Sequence, residues 1–286
     1  MIKIGFIGAG IVGTALAVLL SQKGYEFIGA SRRDPKSAGK SSRIIGNLHL
    51  LDSNQEVADR ADLTFVTTPD DAIANVVSQV KWTEGRSIVH CSGADSLDIL
   101  EPARKSGAFT GSFHPLQTFA GVKEAIENIP GSTFALEAEE PLLTTLKDMA
   151  KALGGRWIRL KAGDKVAYHA AAVFASNYLV TLVKMSTDLW KTFAIPADEA
   201  TQALLPLIRG TLNNIEKIGI PHCLTGPIAR GDTGTVKKHI KVLREKAPAL
   251  LFPYKELGLQ TVPIALAKGR INDKQAMEME AILKTS

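Results

Sequence analysis

Residues 2–22 read IKIGFIGAGIVGTALAVLLSQ, and this stretch decides the fold. Its first part, Ile2–Ile7, is an apolar run that predicts a buried β-strand. From Ile11 to Lys23 the apolar residues have helical spacing, and glycines separate the two elements. A strand, a glycine-rich turn and a helix in this order are typical of the first unit of a doubly wound sheet that binds a dinucleotide.

The glycine pattern of this turn fits a pyrophosphate. Gly8 permits the tight turn, Gly10 lets the backbone approach the phosphates, and Gly13 lets the helix pack closely on the strand. The amino terminus of the helix favours the negative charge of the phosphates. A simple strand-to-helix turn is the alternative. The predicted cofactor-binding motif consists of Gly8, Ala9, Gly10, Ile11, Val12 and Gly13.

The end of the second predicted strand indicates which dinucleotide binds. A carboxylate at this position would bind the ribose 2′-hydroxyl of NAD, but the chain has Ser31, Arg32 and Arg33. A hydroxyl and two guanidinium groups suit the 2′-phosphate of NADP, because arginine contacts phosphate through two hydrogen bonds. We therefore predict NADP (NADPH) as the cofactor. Two alternatives stay open, namely a ribose contact from Asp34 and a basic loop that is merely solvated.

Strand and helix patterns alternate as far as Leu160, which predicts β–α–β units and a mostly parallel sheet. After Lys161 the pattern is helical. We therefore predict an α/β Rossmann domain over residues 1–162 and an all-helical substrate and dimerisation domain over residues 163–286. The apolar stretch 167–183 carries polar residues, so we interpret it as a buried helix and not as a membrane span. Further strands are predicted at Tyr25–Ala30, Leu63–Thr67, Ser87–Cys91, Ala108–Phe113, Ser132–Leu136 and Arg156–Leu160.

Composition narrows the class of protein. Of the 286 residues, 45% are hydrophobic and 22% are charged, which is typical of a globular protein. Cys91 and Cys223 cannot form a network of disulfides, and no cluster has the spacing of zinc ligands, so we expect no metal and a cytoplasmic location. The net charge of +5 includes no long basic run. We therefore expect neither nucleic acid nor a membrane as a partner.

Polar residues follow three of the predicted strands at the edge where open α/β sheets bind ligands. We expect His114 to supply the proton that accompanies hydride transfer, because histidine titrates near neutral pH. Ser92 is predicted to orient His114 or to bond the reacting oxygen. The alternatives are a histidine that only bonds a loop and a serine that caps the following helix. The remaining strand-end residues predicted to border the cofactor are Thr67, Thr68, Pro69 and Cys91.

Three residues of the helical half are predicted to orient the substrate. His169 and Asn177 share one helix face with Lys165, and that face is expected to look into the cleft between the domains. Arg230 lies on a Gly- and Pro-rich turn, where it can bind a carboxylate or phosphate. The alternative for the helix face is a set of buried polar groups that bond to neighbouring loops. The alternative for Arg230 is a solvated arginine or one at a subunit interface.

With these motifs the chain resembles the two-domain dehydrogenases of the 6-phosphogluconate dehydrogenase type. Within them it is most similar to a bacterial family of candidate NADP oxidoreductases, in which a helical domain of unknown function follows a Rossmann-like domain. The resemblance rests on residues 8–13, 90–94 and 111–119, on residues 168–171 with Asn177, and on residues 225–232. Prephenate dehydrogenases look similar at Ser92 and His114, and pyrroline-5-carboxylate reductases share the two-domain plan. The sequence after Pro115 departs from the prephenate dehydrogenase pattern, and His169 stands where β-hydroxyacid dehydrogenases have the asparagine that follows their lysine.

The residues and the resemblance together predict an NADP-dependent oxidoreductase. Its expected substrate is a small anionic carbonyl, imine or hydroxy compound, and the expected assembly is a homodimer. The alternatives are a non-catalytic NADP(H)-binding sensor or scaffold, a prephenate dehydrogenase-like enzyme and a deazaflavin-linked NADP reductase.

Overall fold

The computed structural model describes residues 1–32 and 49–285. The chain forms two compact units, of which the first ends at Ser176 and the second begins at Asn177. The helix that we assigned from the sequence to the second domain therefore belongs to the first unit. The unit boundary lies later in the chain than the position near residue 162 where the strand pattern ends.

The first unit contains a seven-stranded sheet in the order β2-β1-β3-β4-β5-β6-β7. All neighbouring strands are parallel except β5 and β6, which are antiparallel. This mostly parallel sheet confirms the predicted fold class. The strands are β1 Lys3–Ile7, β2 Glu26–Ser31, β3 Leu63–Val66, β4 Ser87–His90, β5 Phe109–Leu116, β6 Thr133–Ala138 and β7 Arg156–Arg159.

Helices cover both faces of this sheet, so the central strands are buried on both sides. One hydrophobic cluster packs the sheet against the helices at residues 11–22, 122–128 and 142–152. A second cluster packs it against the helices at residues 54–60, 70–78 and 101–105. Apolar runs such as Leu63–Val66 follow from this double burial. The helices of the first unit are α1 Ile11–Gln22, α2 Asn54–Arg60, α3 Asp70–Ser78, α4 Glu101–Lys105, α5 Val122–Asn128, α6 Leu142–Ala152 and α7 Lys165–Ala175.

An aromatic row crosses the first of these clusters. The rings of Phe6 and Phe65 stack with centroids 4.8 Å apart, and those of Phe113 and Phe134 stack at 4.6 Å. Phe65 and Phe113 meet edge to face at 5.9 Å, which joins the two stacks. Because Phe113 is fixed in this row, β5 is held firmly where it carries Ser112 and His114 on its opposite face.

The described part of the second unit is helical and contains no strand. Its core is a cluster that includes Val236, Val262 and Met279. At the start of its last helix, the Asn272 side chain accepts a bond from the Gln275 backbone N–H while Gln275 bonds back to residue 272. The helices of this unit are α8 Asn177–Lys191, α9 Ala197–Ile218, α10 Thr233–Lys246, α11 Leu251–Ala267 and α12 Asp273–Lys284.

The prediction of a buried helix over residues 167–183 is wrong. The stretch is divided between α7 and α8 at Ser176, and most of its side chains are exposed within the chain; Val180 is 70% exposed. Apolar content alone did not distinguish burial within one chain from an exposed apolar face. By length and composition only, the segment Lys165–Lys191 would be sufficient to cross a membrane.

Candidate functional site

The glycine turn after β1 brings three backbone segments unusually close together. Gly8 has a φ of +108°, a backbone conformation that residues with a side chain rarely adopt. A Cβ atom on Gly13 would lie 2.3 Å from the Gly8 carbonyl oxygen and 2.3 Å from the Thr67 Oγ1, so no other residue fits there. Thr67 donates its hydroxyl hydrogen to the Gly8 oxygen at 2.5 Å, which ties the turn to β3.

The amino terminus of α1 is left without a protein cap. Gly10 stands at the cap position and has no side chain that could bond the first N–H groups, and no acidic residue lies in the first turn. Ala9 and Val12 pack against the sheet, whereas Gly10 and Ile11 are exposed. Exposed N–H groups and the positive end of the helix dipole together suit a phosphate at this turn.

The residues predicted to bind the 2′-phosphate, at the end of β2, differ in whether their polar atoms are already used in hydrogen bonds. Ser31 is buried; its hydroxyl donates to the Asn54 Oδ1 at 2.7 Å, and its carbonyl oxygen accepts the Gly8 N–H at 2.9 Å. Arg32 has buried Nε and Nη2 atoms with no hydrogen-bond partner in the described part of the chain. Arg33 and Asp34 lie outside the described residues. The described residue with unused donors for an anion here is therefore Arg32.

The ends of β3 and β4 are joined through Ser92. The Ser92 hydroxyl donates to the Asp70 Oδ2 at 2.9 Å and accepts the N–H groups of Ala94 and Asp95 at 3.2 and 3.0 Å. These three bonds use the hydrogen and both lone pairs of the hydroxyl. Ser92 therefore organises the turn after β4, and its described hydrogen bonds do not include His114. Ser92 does not cap the following helical turn, Leu97–Leu100, because Ser96 stands at that cap position and accepts the Asp98 N–H.

The strand-end residues predicted to border the cofactor also include Thr68, Pro69 and Cys91. Pro69 stands at the cap position of α3, and the Thr68 hydroxyl is buried without a partner among the described residues. Burial raises the pKa of the Cys91 thiol to about 12, so the thiol stays protonated at neutral pH. Cys91 is thus a small packing residue and not a nucleophile.

His114 lies at the end of β5, at the predicted edge of the sheet, and contacts α7. Its Nδ1 and the Tyr168 hydroxyl are 2.8 Å apart, and the two rings meet edge to face. Burial, with a smaller contribution from Lys165, lowers the pKa of His114 to about 4. At pH 7 the ring is therefore mostly neutral, and the proton-supplying role of His114 stays a prediction.

His169 lies beside His114 because Gly93 leaves room for both rings. A Cβ atom on residue 93 would stand 2.7 Å from the His169 Nδ1 and 2.8 Å from the His114 Nε2. The His169 Nδ1 is buried with no partner in the described residues. His169 thus joins His114 within the first unit, whereas Asn177 and Arg230 belong to the second unit and are exposed. Their shared cleft remains a prediction.

The structure brings four polar residues to this site that we did not predict as site residues. Lys165, the first residue of α7, is only 2% exposed, and its Nζ has no hydrogen-bond partner in the described chain. Burial lowers the pKa of Lys165 to about 8, against the opposing charge of Glu137. The other three, each with a buried and unpartnered polar atom, are His90, Ser112 and Glu137.

Some of these residues carried a sequence signal. Lys165 was visible as a member of the polar helix face with His169, and His90 was visible as a polar residue of the predicted strand Ser87–Cys91. Glu137 was not, because the predicted strand ended at Leu136 whereas β6 extends to Ala138. When a charged residue follows a short apolar run, the sequence does not show whether it belongs to the strand or begins the following loop.

Two family models match the chain. Residues 1–115 match a Rossmann-like domain, and residues 132–261 match a domain of unknown function, DUF2520. The chain therefore combines these two domains, as the resemblance predicted.

Solved structures with the same two-domain fold support this assignment. A candidate NADP oxidoreductase, BF3122 from Bacteroides fragilis, is 25% identical, with a TM-score of 0.71 over 91% of this chain and 97% of that one. A pyrroline-5-carboxylate reductase from Streptococcus pyogenes is 17% identical, with a TM-score of 0.64 over 98% of both chains. A reductive aminase from Aspergillus terreus, solved with NADPH, is 14% identical, with a TM-score of 0.60 over 99% of this chain and 93% of that one.

Among curated proteins, a glycerol-3-phosphate dehydrogenase (NAD(P)+) from Clostridium botulinum is 29% identical over 93 residues. This match covers 28% of the chain and 28% of the relative, so it is confined to a part of each protein. By structure, the chain is related to NAD(P)-dependent reductases.

The burial of His90 predicts a specific sensitivity to acid. Burial lowers the pKa of His90 to about 3, so between pH 6.5 and about 3 the unfolded chain binds a proton that the folded chain does not. Stability is therefore lost as the pH falls through this range. In His90→Asn the amide oxygen can still accept the Ser92 N–H, but the side chain does not titrate. Between pH 6.5 and 4.5 we expect the free energy of unfolding of this variant to fall by about 2 kcal/mol less than that of the wild type.

Urea unfolding at the two pH values measures this difference. The exposed His222→Asn is the matched control, which should lose as much stability as the wild type. Equal losses in wild type and His90→Asn would contradict the assignment of the acid sensitivity to His90.

Proposed function

We propose that the protein is an NADP-dependent oxidoreductase that transfers hydride between the nicotinamide and a small anionic carbonyl, imine or hydroxy compound. The single observation that carries the proposal is the amine of Lys165, which is buried in the Rossmann-like unit and has no hydrogen-bond partner among the described residues. In this fold class, ligands bind outside the carboxyl ends of the strands. Reduction of a C=O or C=N bond requires a site for the dinucleotide and a group that supplies a proton, and this unit contains candidates for both.

The described residues fit NADP. The turn from Gly8 to Gly13 excludes a Cβ atom at residue 13 and presents the uncapped amino terminus of α1 to a pyrophosphate. The Arg32 guanidinium has buried donors without a described partner, which suits a 2′-phosphate. When bound, NADPH supplies the hydride; the remaining requirement is a proton for the oxygen or nitrogen of the substrate.

Lys165 meets that requirement better than His114. With a pKa of about 8 the amine is mostly protonated at pH 7, yet it can release its proton readily. An unpartnered Nζ is free to donate to a substrate heteroatom, and desolvation strengthens such a bond. We therefore assign the proton to Lys165 in the direction of reduction, and the amine accepts it in the direction of oxidation.

His114 and Tyr168 act as a neutral hydrogen-bonding pair in this proposal. Burial raises the pKa of Tyr168 to about 12, so its hydroxyl remains protonated. When the hydroxyl donates to the His114 Nδ1, the His114 Nε2 carries the ring proton and donates to the substrate. A neutral imidazole can thus polarise a carbonyl without losing a proton.

Deuterium transfer tests this function directly. The protein is incubated with NADPH deuterated at the nicotinamide C4 and with a panel of small oxo acids and cyclic imino acids, and mass spectrometry detects the labelled product. We expect Lys165→Met to lower the rate at pH 7 by about 10²-fold while the Kd for NADPH changes by less than about twofold.

Lys161→Met, which removes an exposed lysine of the preceding loop, is the control and should keep the wild-type rate. Transfer by Lys165→Met at the wild-type rate would exclude Lys165 as the proton donor. A wild-type protein that binds NADPH but labels no compound of the panel would favour the non-catalytic sensor or scaffold.

We also propose that a second copy of the chain covers the exposed apolar side chains of α8 and α9. Val180 and Leu207 are 70% and 66% exposed, and they are accompanied on α9 by Leu212, Ile215 and Ile218 and between the two helices by Phe193. Exposed apolar groups in such numbers favour association over a monomeric state.

Light scattering tests this homodimer, with an expected mass of about twice the 30.7 kDa chain. Leu207→Lys should shift the mass towards the monomer, whereas the exposed Lys217→Glu on the same helix should leave the dimer intact. A monomeric wild type that sediments with phospholipid vesicles would instead assign this face to a membrane.

A further inference from the structure

A cavity of about 700 Å³ lies beside the outer strands of the sheet, and the reaction proposed above does not use it. Its lining residues fall between residues 97 and 162, so the cavity belongs wholly to the first unit. They come from the start of β5, the ends of β6 and β7, the helical turn Leu97–Leu100 and α4. A cavity of this volume is in the range of pockets that hold small organic molecules.

Three side chains on one face of the sheet form the floor of the cavity. Glu137 of β6 is in register with Ser112 of β5, and residues in register share a face. Thr110 lies two residues before Ser112 and therefore returns to this face. Leu160 follows the last registered pair of β6 and β7, just as Glu137 does, so it lies on the same face. Thr110, Glu137 and Leu160 all line the cavity.

A layer of helices covers the same face of the sheet next to the cavity. Ile88 of β4 is in register with Thr110. It packs in one cluster with Leu100 and Ala103, so the turn Leu97–Leu100 and α4 cover this face at β4. The cavity lies beside this cover, over the neighbouring strands, and much of its wall is apolar. The apolar lining residues other than Leu160 are Leu97, Ala108, Phe109, Ala138 and Ala162.

Glu137 places a buried carboxyl group in this apolar setting. It is only 9% exposed, and its Oε2 has no hydrogen-bond partner among the described residues. The buried amine of Lys165 does not supply the partner, because its Nζ also lacks a hydrogen bond in the described chain. Burying a carboxylate without a partner is costly, since the lost hydration is not replaced. A ligand with a positively charged hydrogen-bond donor would replace it.

The other charged groups that line the cavity differ from Glu137, because they are exposed. Arg159 pairs with Glu139 at 2.9 Å, and Arg104 pairs with Glu101. Water screens exposed charges, so they contribute little to the binding of an ion. The charge preference of the cavity is therefore set by Glu137. The remaining charged residues of the wall, which are also exposed, are Asp98 and Lys161.

We propose that this cavity binds a small organic amine, whose ammonium group donates hydrogen bonds to the Glu137 carboxylate and whose apolar body lies against Leu97 and Leu160. The ammonium group compensates the buried negative charge, and the apolar body removes the walls from contact with water. A hard metal cation fits less well, because it takes six or more oxygen ligands and gains nothing from apolar walls. The site is separate from the residues to which we assign the cofactor and the proton.

Benzylamine is a suitable probe, because it joins an ammonium group to an apolar ring. It is titrated at neutral pH into protein labelled with ¹³C at the leucine methyl groups. NMR follows the signals of Leu97 and Leu160, which are identified by their loss in Leu97→Met and Leu160→Met. We expect both signals to shift with a Kd of about 1 mM, as is usual for so small a ligand. Benzyl alcohol has nearly the same shape but no charge, and it should bind at least about tenfold more weakly.

Glu137→Gln removes the charge of the side chain and keeps its shape. We expect it to weaken the binding of benzylamine at least about tenfold, while the Kd for benzyl alcohol changes by less than about twofold. Glu139→Gln is the matched control, since Glu139 also lines the cavity but is exposed and paired with Arg159. It should keep the wild-type Kd for benzylamine.

An unchanged Kd for benzylamine in Glu137→Gln would overturn the proposal, and so would an equal loss of affinity in Glu139→Gln. The comparison of benzylamine with benzyl alcohol uses the wild-type protein, so it decides the matter even where Glu137→Gln does not fold. Equal affinity for the two compounds, or no shift at either leucine, would also overturn the proposal. Neither NADPH nor a substrate is present, so the result is independent of the proposed function.

Discussion

The approach of α1 to β1 and β3 is the constraint on which the first unit depends. At residue 13 the helix lies so close to the Gly8 carbonyl and the Thr67 hydroxyl that a single Cβ atom would clash with both. The same closeness directs the uncapped amino terminus of α1 towards the end of β1. The packing of α1 and the proposed binding of a phosphate therefore depend on the same local geometry.

Desolvation sets the chemistry of the neighbouring strand ends. Burial lowers the pKa of His114 to about 4 and that of Lys165 to about 8, so that at neutral pH the histidine is uncharged and the lysine is mostly charged. Compared with their ordinary pKa values, the histidine becomes a weaker base and the lysine a stronger acid. A nearly fully buried lysine at the start of a helix therefore suits the role of the acid in the proposed reaction.

The fold could be predicted from the sequence because its signals are local. Strands buried on both faces are apolar runs, and a glycine turn is visible as such in the chain. Candidate site residues could be named from the sequence where they lie near a strand end: His114 is two residues before the end of β5, and Ser92 is two residues after the end of β4. Lys165 and Glu137 could not be assigned, because the burial of a charged side chain depends on contacts with segments far away in the sequence, which no local pattern encodes. The hydrogen bonds of Ser92 likewise depend on Asp70, a residue of another helix.

The most direct test of the account is a paired titration of the purified protein with NADPH and NADH, followed by nicotinamide fluorescence. The glycine turn and the Arg32 guanidinium, whose buried donors have no partner in the part of the chain that the structure describes, predict that NADPH binds at least about tenfold more tightly than NADH, a difference of about 1.4 kcal/mol. Equal binding of the two would contradict the assignment of Arg32 to a 2′-phosphate. Binding of neither would contradict the oxidoreductase itself.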